Sequence, residues 1–232
     1  CAPVSLGTEG RPGLLALFRS REPFSPVERE IVQTALSSFG QALTRLRAAA
    51  ELEKLATRDG LTGLLNHRTF QASFRRELLK ARRTGVRVAL LLTDIDFFKK
   101  VNDQHGHPAG DTILRHVANV VSSQLREDID IVARYGGEEF VCVLVGTTDT
   151  GAEETSERIR QAVEASSCDI GEAVPKSVTL SLGLSIFPDD ANTAEELIEK
   201  ADQALYRAKH GGRNRWERAL SAARQHKAAP PT

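Results

Sequence analysis

The stretch Arg134-Tyr-Gly-Gly-Glu-Glu-Phe140 predicts a tight hairpin at the centre of the fold. A β-branched run that begins at Ile129 leads into it, and the strand-like run Phe140-Val-Cys-Val-Leu-Val145 leads out of it. The two glycines fall where the chain must turn. Glycine tolerates the positive φ that both central residues of a type I′ turn require. We therefore expect a Gly-Gly type I′ turn between two antiparallel strands.

Acidic residues follow this turn directly and also end an earlier apolar run. Glu138 and Glu139 are adjacent, and like charges this close favour a nearby cation such as a divalent metal. Asp94 ends the apolar run 88–93, and Asp96 projects from the same strand face because it is two residues further on. If the hairpin pairs beside this strand, a glutamate meets Asp94 around shared magnesium at the accessible end of the sheet. For Asp96, a structural hydrogen-bonding role stays open.

The hairpin signature and five further segments, in the same order, resemble the GGDEF family in its GGEEF form. The segments are Arg58-Asp-Gly-Leu-Thr-Gly-Leu-Leu-Asn66, Asp94-Ile-Asp-Phe-Phe-Lys99, Asn102-Asp-Gln-His-Gly-His-Pro-Ala-Gly-Asp111, Thr179-Leu-Ser-Leu-Gly183 and Ala201-Asp-Gln-Ala-Leu-Tyr-Arg-Ala-Lys-His-Gly-Gly-Arg-Asn214. The chain from about Asp59 to Trp216 resembles a complete GGDEF domain, the catalytic module of diguanylate cyclases. This resemblance implies the palm-like fold of class III nucleotidyl cyclases.

The order of the predicted elements independently indicates an α+β fold with a mostly antiparallel central sheet flanked by helices. The predicted helices are 67–83, 108–126, 150–166 and 193–209. The predicted strands are 86–96 and 177–187, together with the hairpin 129–145. Gly211 and Gly212 are predicted to stop the last helix.

The N-terminal part is predicted to be a hairpin followed by a long helix. Residues 1–24 loosely resemble the closing strands of a GAF sensor domain, and Ser25-Pro-Val-Glu28 forms a capping box for helix 25–58. Apolar residues of this helix step in a heptad pattern, at Val32, Leu36, Phe39, Leu43, Leu46 and Ala50. We expect it to pair with a second copy as a homodimer, and packing on its own hairpin is the alternative. A GGDEF domain over 59–217 and a disordered tail over 218–232 complete the expected organisation.

The resemblance implies a two-metal condensation of two GTP into cyclic di-GMP and two pyrophosphates. Two Mg²⁺ or Mn²⁺ ions per site would be held by Asp94, the Ile95 carbonyl, Glu138 and Glu139. Which glutamate acts as base and which as ligand stays open. Phosphate contacts would come from three cations, which are Lys99, Lys209 and Arg213.

The segment from Asn102 to Asp111 is expected to select guanine. Guanine presents N1–H and its amino group side by side as donors, so a facing carboxylate prefers it to adenine. By resemblance, Asp111 takes this role and Asn102 contacts base or ribose. His107 is expected to be a loop residue that forms hydrogen bonds near the substrate. The structural alternatives are a turn residue for Asn102 and a helix N-terminal acid for Asp111.

Composition narrows the remaining function classes. Lysine plus arginine equal aspartate plus glutamate, at 31 each, so we expect no nucleic-acid partner. No apolar run approaches membrane-helix length, and the expected location is cytoplasmic.

Cys142 is expected to be a buried apolar residue. The chain starts at Cys1 and lacks methionine, so we expect a fragment of a longer protein. A non-catalytic GGDEF receptor that binds GTP or a partner protein is the alternative function.

A departure from the family pattern affects regulation. Many GGDEF domains carry Arg-x-x-Asp ahead of the signature as an allosteric product site. Here Asp130 holds the aspartate position, Glu127 holds the arginine position, and Arg126 lies one residue too early. A glutamate repels the product's phosphates, so we expect weak or absent product inhibition through that site.

Overall fold

The computed structural model describes residues 2–4, 13–15, 25–171 and 176–220. Its contacts divide the chain into two compact units, 1–56 and 57–232. The predicted tail beyond residue 220 and most of the GAF-like segment lie outside the described residues.

The first unit contains a short strand pair and a long helix. Strands β1 (Ala2–Val4) and β2 (Gly13–Leu15) pair antiparallel, and helix α1 spans Pro26–Thr57. The predicted capping box is confirmed, because Glu28 N donates to Ser25 Oγ at 3.2 Å and Ser25 N donates to Glu28 Oε2 at 2.9 Å. These bonds satisfy donors that the first turn of a helix otherwise leaves open.

The heptad positions of α1 are not covered within the described part of the chain. Phe39 is 55% exposed and Leu46 is 67% exposed, while Val32, Leu36 and Leu43 are half-buried. No α1 side chain whose burial is described is buried. A long helix with this much exposed apolar surface gains little stability from its own unit.

The second unit is an α+β domain, as predicted. Its elements in chain order are α2 (His67–Thr84), β3 (Val88–Ile95), α3 (Phe98–His105), α4 (His107–Ser123), β4 (Ile131–Gly136), β5 (Glu139–Val145), α5 (Asp149–Ala165), β6 (Leu180–Phe187), α6 (Ala194–His210) and β7 (Trp216–Arg218). The five strands lie in the order β4-β5-β3-β6-β7. All neighbouring pairs are antiparallel except β6 and β7.

Both faces of the sheet are buried by helices. Successive side chains of a strand point to opposite faces, so Leu91 of the central strand β3 joins a cluster with α4 and α5, whereas Leu90 joins one with α2 and α6. Cys142 is fully buried within β5, as predicted. Helix α6 crosses β6 at Gly183, where an added Cβ would lie 2.0 Å from the Ala201 carbonyl oxygen. Glycine is therefore required there for helix and sheet to approach this closely.

The structure corrects the prediction of a type I′ Gly-Gly turn. Gly136 still belongs to β4 and pairs with Glu139, so the turn is centred on Gly137 and Glu138. Of the two glycines of this turn, Gly137 has a positive φ, of 29°, and Gly136 does not. The pairing register shifts between Arg134 and Gly136, and this irregularity takes up a residue before the turn. Helix α3 and strand β7 were also absent from the sequence predictions, because both are too short for a clear periodic pattern.

Candidate active site

Two acidic residues meet at one end of the sheet. Asp94 of β3 lies directly opposite Glu139 of β5 in the antiparallel register, and Ile95 N approaches Glu138 O at 3.4 Å. Directly opposed residues bring their side chains close together on one face. That face is the one packed against α2 and α6, since Asp94 follows Leu90 and Leu92 at a spacing of two. The hairpin therefore delivers its acids to the end of β3.

A lysine from the last turn of α6 balances part of this negative charge. Lys209 Nζ lies 2.7 Å from Asp94 Oδ2. The Asp94 side chain is only 12% exposed, so it is more enclosed than its position at a strand end had predicted. Burial acts first to raise the pKa of Asp94, and Glu138 and Asp96 add to the rise, which outweighs the opposing effect of Lys209.

The ionised form of Glu139 is also destabilised by its surroundings. Burial and then the negative charge of Asp94 raise the pKa of Glu139, although Lys209 partly opposes the shift. One lysine thus faces two crowded carboxylates. Such a cluster favours the binding of further positive charge.

The donor set fits a hard divalent cation that arrives with phosphate. Among the described residues, no group of three histidine, cysteine or acidic side chains is placed to hold a metal alone. Magnesium is usually bound by one or two carboxylates together with water and substrate phosphates. Asp94 and Glu139 supply two carboxylates, and Ile95 follows at the end of β3.

Arg134 holds the hairpin turn in place. Its Nε and Nη2 donate to the Gly137 carbonyl at 3.0 and 2.7 Å, while Nη1 lies 3.2 Å from both carboxylate oxygens of Asp59. Asp59 also accepts hydrogen bonds from Thr62, from its backbone N at 2.9 Å and its Oγ1 at 2.7 Å. The segment 58–66 therefore braces the turn that carries the glutamates.

Asn102 of α3 lies against Gly110 of α4, the residue that precedes Asp111. Asn102 lies within α3, so its interpretation as a turn residue was wrong. An added Cβ on Gly110 would lie 2.0 Å from Asn102 Oδ1, so a larger residue would force the Asn102 side chain to move. Asn102 Oδ1 is buried and accepts no hydrogen bond from the described residues. A buried acceptor of this kind calls for a donor from outside the chain.

The remaining members of the predicted substrate set lie on α3, on α4 and in the turn after α6. Asp111 is half-buried in the early part of α4, and His107 is exposed at its first residue. Lys99 is exposed in the first turn of α3, shortly after the end of β3. Arg213 lies in the turn after α6, and its guanidinium stacks on Phe97 at the start of α3. Of these predicted phosphate contacts, Lys209 forms an ion pair with Asp94.

Asp96 has a structural environment. It is buried, and its carboxylate accepts from Thr179 Oγ1 at 2.7 Å, Ser181 Oγ at 2.7 Å and Asn214 N at 3.0 Å. These bonds tie the end of β3 to β6 and to the turn that carries Arg213. Sequence reasoning missed this network, although the alternating hydroxyls of Thr179 and Ser181 were its visible signal.

A separate groove of about 1040 Å³ is lined in part by Arg126, Glu127 and Asp130. Arg126 Nε and Nη2 donate to the two carboxylate oxygens of Asp130 at 2.9 and 2.6 Å, and Nη2 also donates to the Val145 carbonyl. Burial alone would raise the pKa of Asp130, but the hydrogen bonds from Arg126 and Val145 lower it overall. Arg126 and Asp130 are therefore already paired with each other at this groove.

Comparison with known proteins supports a single family. Residues 56–215 match the family described as "Diguanylate cyclase, GGDEF domain". Diguanylate cyclase A of Treponema denticola is 35% identical over 201 residues, which cover 85% of this chain and 53% of that protein. The response regulator PleD of Caulobacter vibrioides is 41% identical over 162 residues, covering 69% of this chain and 36% of that protein. The chain thus spans about half or less of the length of these relatives.

Solved structures agree with these sequence matches. The coiled coil and GGDEF domain of DgcB from Caulobacter crescentus, in complex with c-di-GMP, is 32% identical with a TM-score of 0.70, covering 81% of this chain and 99% of that one. The active GGEEF domain of a diguanylate cyclase from Vibrio cholerae is 33% identical with a TM-score of 0.63, covering 68% and 99%. Each helix within the described residues is too short or too polar to cross a bilayer. The chain belongs to the GGDEF family of diguanylate cyclase domains.

Proposed function

We propose that the chain is a diguanylate cyclase that condenses two GTP into cyclic di-GMP with release of two pyrophosphates. The observation that carries this proposal is the direct opposition of Asp94 and Glu139, two crowded carboxylates with raised pKa values at one end of the sheet. Folding alone does not require two crowded carboxylates with raised pKa values at the end of these strands. Perturbed acids of this kind are typical of functional sites.

In the proposed mechanism, the acids hold Mg²⁺ or Mn²⁺ and the surrounding cations bind triphosphate. Asp94, Glu138 and Glu139, with the Ile95 carbonyl, would bind two ions, which when bound favour loss of the ribose 3′-hydroxyl proton and offset charge on the departing pyrophosphate. Lys99, Lys209 and Arg213 would contact the phosphates, as ammonium and guanidinium groups do.

Guanine recognition would take place between α3 and α4. Asp111 would accept hydrogen bonds from guanine N1–H and the amino group. Asn102 Oδ1, a buried acceptor, would receive a donor from the base or the ribose. His107 would lie at the rim of this cleft. The preference for GTP over ATP would follow from the donor pattern of guanine.

Catalysis would require two copies of the chain, because each domain would bind one GTP and each 3′-hydroxyl would attack the nucleotide of the other copy. The proposed contact is the heptad face of α1, whose Phe39 and Leu46 remain exposed. Pairing buries such residues between two helices. We place this activity in the cytoplasm, where GTP is available.

The experiment that tests the activity is incubation with GTP and Mg²⁺, followed by chromatographic identification of the products. We expect cyclic di-GMP from the unaltered protein and none above background from Asp94→Asn. Asp130→Asn is the matched control, because it alters a carboxylate of the same domain that lies away from the site. GTP binding without any product from the unaltered protein would instead support the receptor alternative.

The dimer is tested separately by replacing the half-buried heptad residues Leu36 and Leu43 of α1 with lysine. We expect a monomer by sedimentation at concentrations where the unaltered protein is dimeric, together with a loss of cyclic di-GMP synthesis. GTP affinity should remain, since the nucleotide site lies in the other unit. Full activity of a strictly monomeric variant would contradict the proposed two-copy mechanism.

A further inference from the structure

Phe97 occupies a position that local preferences disfavour. It has a left-handed φ of 58°, it precedes α3 as the N-cap without any side-chain capping bond, and its side chain is among the exposed large apolar ones at 52% exposure. A bulky residue with positive φ is a genuine outlier, and N-caps favour Ser, Thr, Asp, Asn or Gly. Observed strain of this kind is a basis for inferring function.

The exposed phenyl ring is flanked by two cations. The Arg213 guanidinium carbon lies 4.4 Å from the ring centroid, and Lys100 Nζ lies 4.6 Å from it. Both distances are well inside the range of about 6 Å for cation–π attraction. The ring therefore attracts the Arg213 guanidinium and favours the side-chain direction that the structure shows.

The backbone beneath Arg213 is fixed by independent contacts. Arg213 N donates to the Ala208 carbonyl at 3.0 Å, and Asn214 N donates to the buried Asp96 carboxylate at 3.0 Å. The Asn214 side chain is held by Arg160 and Glu164 of α5. A rigid turn at one end and an aromatic face at the other leave the guanidinium little freedom. Ligand binding then loses less side-chain entropy.

We propose that Phe97 is a positioning residue for phosphate binding, and that its ring holds Arg213 ready for the polyphosphate of the nucleotide. This inference rests on the proposed function, because it assumes that Arg213 contacts phosphate. The left-handed backbone turns the ring outward toward the two cations. A role as simple apolar cover would need only hydrophobic bulk, whereas the positioning role needs an aromatic face.

The test compares Phe97→Leu, Phe97→Asn and Phe97→Tyr in equilibrium binding of GDP and guanosine with Mg²⁺. Asparagine tolerates positive φ and lacks a ring, leucine keeps apolar bulk, and tyrosine keeps the aromatic face. We expect leucine and asparagine to raise the dissociation constant for GDP about two- to fivefold, and tyrosine to leave it unchanged. Guanosine binding should not change in any variant, because guanosine has no phosphate.

A double mutant identifies the partner of the ring. In an Arg213→Ala background, Phe97→Leu should cause no further loss of GDP affinity. The inference is overturned if leucine behaves like phenylalanine, if guanosine weakens as much as GDP, or if the loss persists without Arg213. An unaltered protein that binds no guanine nucleotide would overturn the proposed function and this inference together, while normal binding with indifferent Phe97 variants would overturn the inference alone.

Discussion

Two carboxylate sites at the sheet differ in how their charges are satisfied. Asp130 is paired with Arg126 through a bidentate contact, and its pKa is lowered despite burial. Asp94 and Glu139 crowd one another beside Lys209, and the pKa of each is raised. The first site is complete within the chain. The second becomes electrostatically balanced only when further cations bind.

This difference separates structural from functional acids. Folding alone favours arrangements such as Asp130, whose ionised form is stabilised by donors. A crowded acid pair persists when function requires it, at some cost in stability. Replacing a carboxylate by its amide is the same chemical change at both sites. We therefore expect it to raise the stability of the protein at Glu139 and to lower it at Asp130.

Replacing Glu139 with Gln should give the largest effect. We expect cyclic di-GMP synthesis to fall by about three orders of magnitude, because the variant loses a carboxylate that we propose binds metal. The metal-free variant should nevertheless melt at a higher temperature than the unaltered protein at neutral pH. Calorimetry and steady-state kinetics measure the two effects, and a lower melting temperature would break the proposed contrast.

The stability gain of Glu139→Gln should depend on pH in a defined direction. Because the folded-state pKa of Glu139 is raised, the folded state holds its proton more tightly than the unfolded state. Stability therefore falls as pH rises from the ordinary glutamate pKa, about 4.3, through the folded value. The difference between variant and unaltered protein should vanish below that window and be complete above it.

Replacing Asp111 with Asn tests an acid that we propose contacts only the substrate. Asparagine has one acceptor where aspartate has two, so we expect the KM for GTP to rise about 10- to 100-fold, corresponding to about 1–3 kcal/mol. Asp103→Asn, an exposed acid on α3, is the matched control. An unchanged KM for Asp111→Asn would remove this residue from the proposed guanine site.

Replacing Asp130 with Asn should destabilise the protein without impairing chemistry. Loss of the charged acceptor for Arg126 should cost about 2 kcal/mol, or roughly 4–8 °C in melting temperature. Since the folded-state pKa of Asp130 is lowered, its contribution is present above the ordinary aspartate pKa and disappears as pH falls through the folded value. Thermal melts across pH measure this, and a variant more stable than the unaltered protein would reverse the comparison.

The smallest expected effect concerns the product. Added cyclic di-GMP should barely slow turnover through the groove near Arg126, because this arginine is already paired and Glu127 repels phosphate. Initial rates with and without product measure this. Product inhibition that disappears specifically on changing Arg126 and Asp130 together would show that the internal ion pair opens to bind ligand.

The long elements and the two halves of the acid pair were predictable from sequence. Helix α2, strands β3 and β6, and helix α6 have strong apolar periodicity, and the acids stand at the ends of such runs. Helix α3 was missed because eight residues give little pattern. The turn was misplaced by one residue because an irregularity in strand pairing depends on the partner strand.

Local sequence by itself determined the long strands and helices, and which acidic side chains lie at strand ends, because apolar periodicity acts over a few positions. Only the tertiary structure decided which of those acids are crowded and which are paired. Asp94 opposite Glu139 and Asp96 beneath the Arg213 turn join segments distant along the chain. Asp130 and Arg126 are only four residues apart, but Val145 of the distant strand β5 hydrogen-bonds to both of them. A carboxylate's energy depends on burial and neighbouring charge, and both arise when these segments come together.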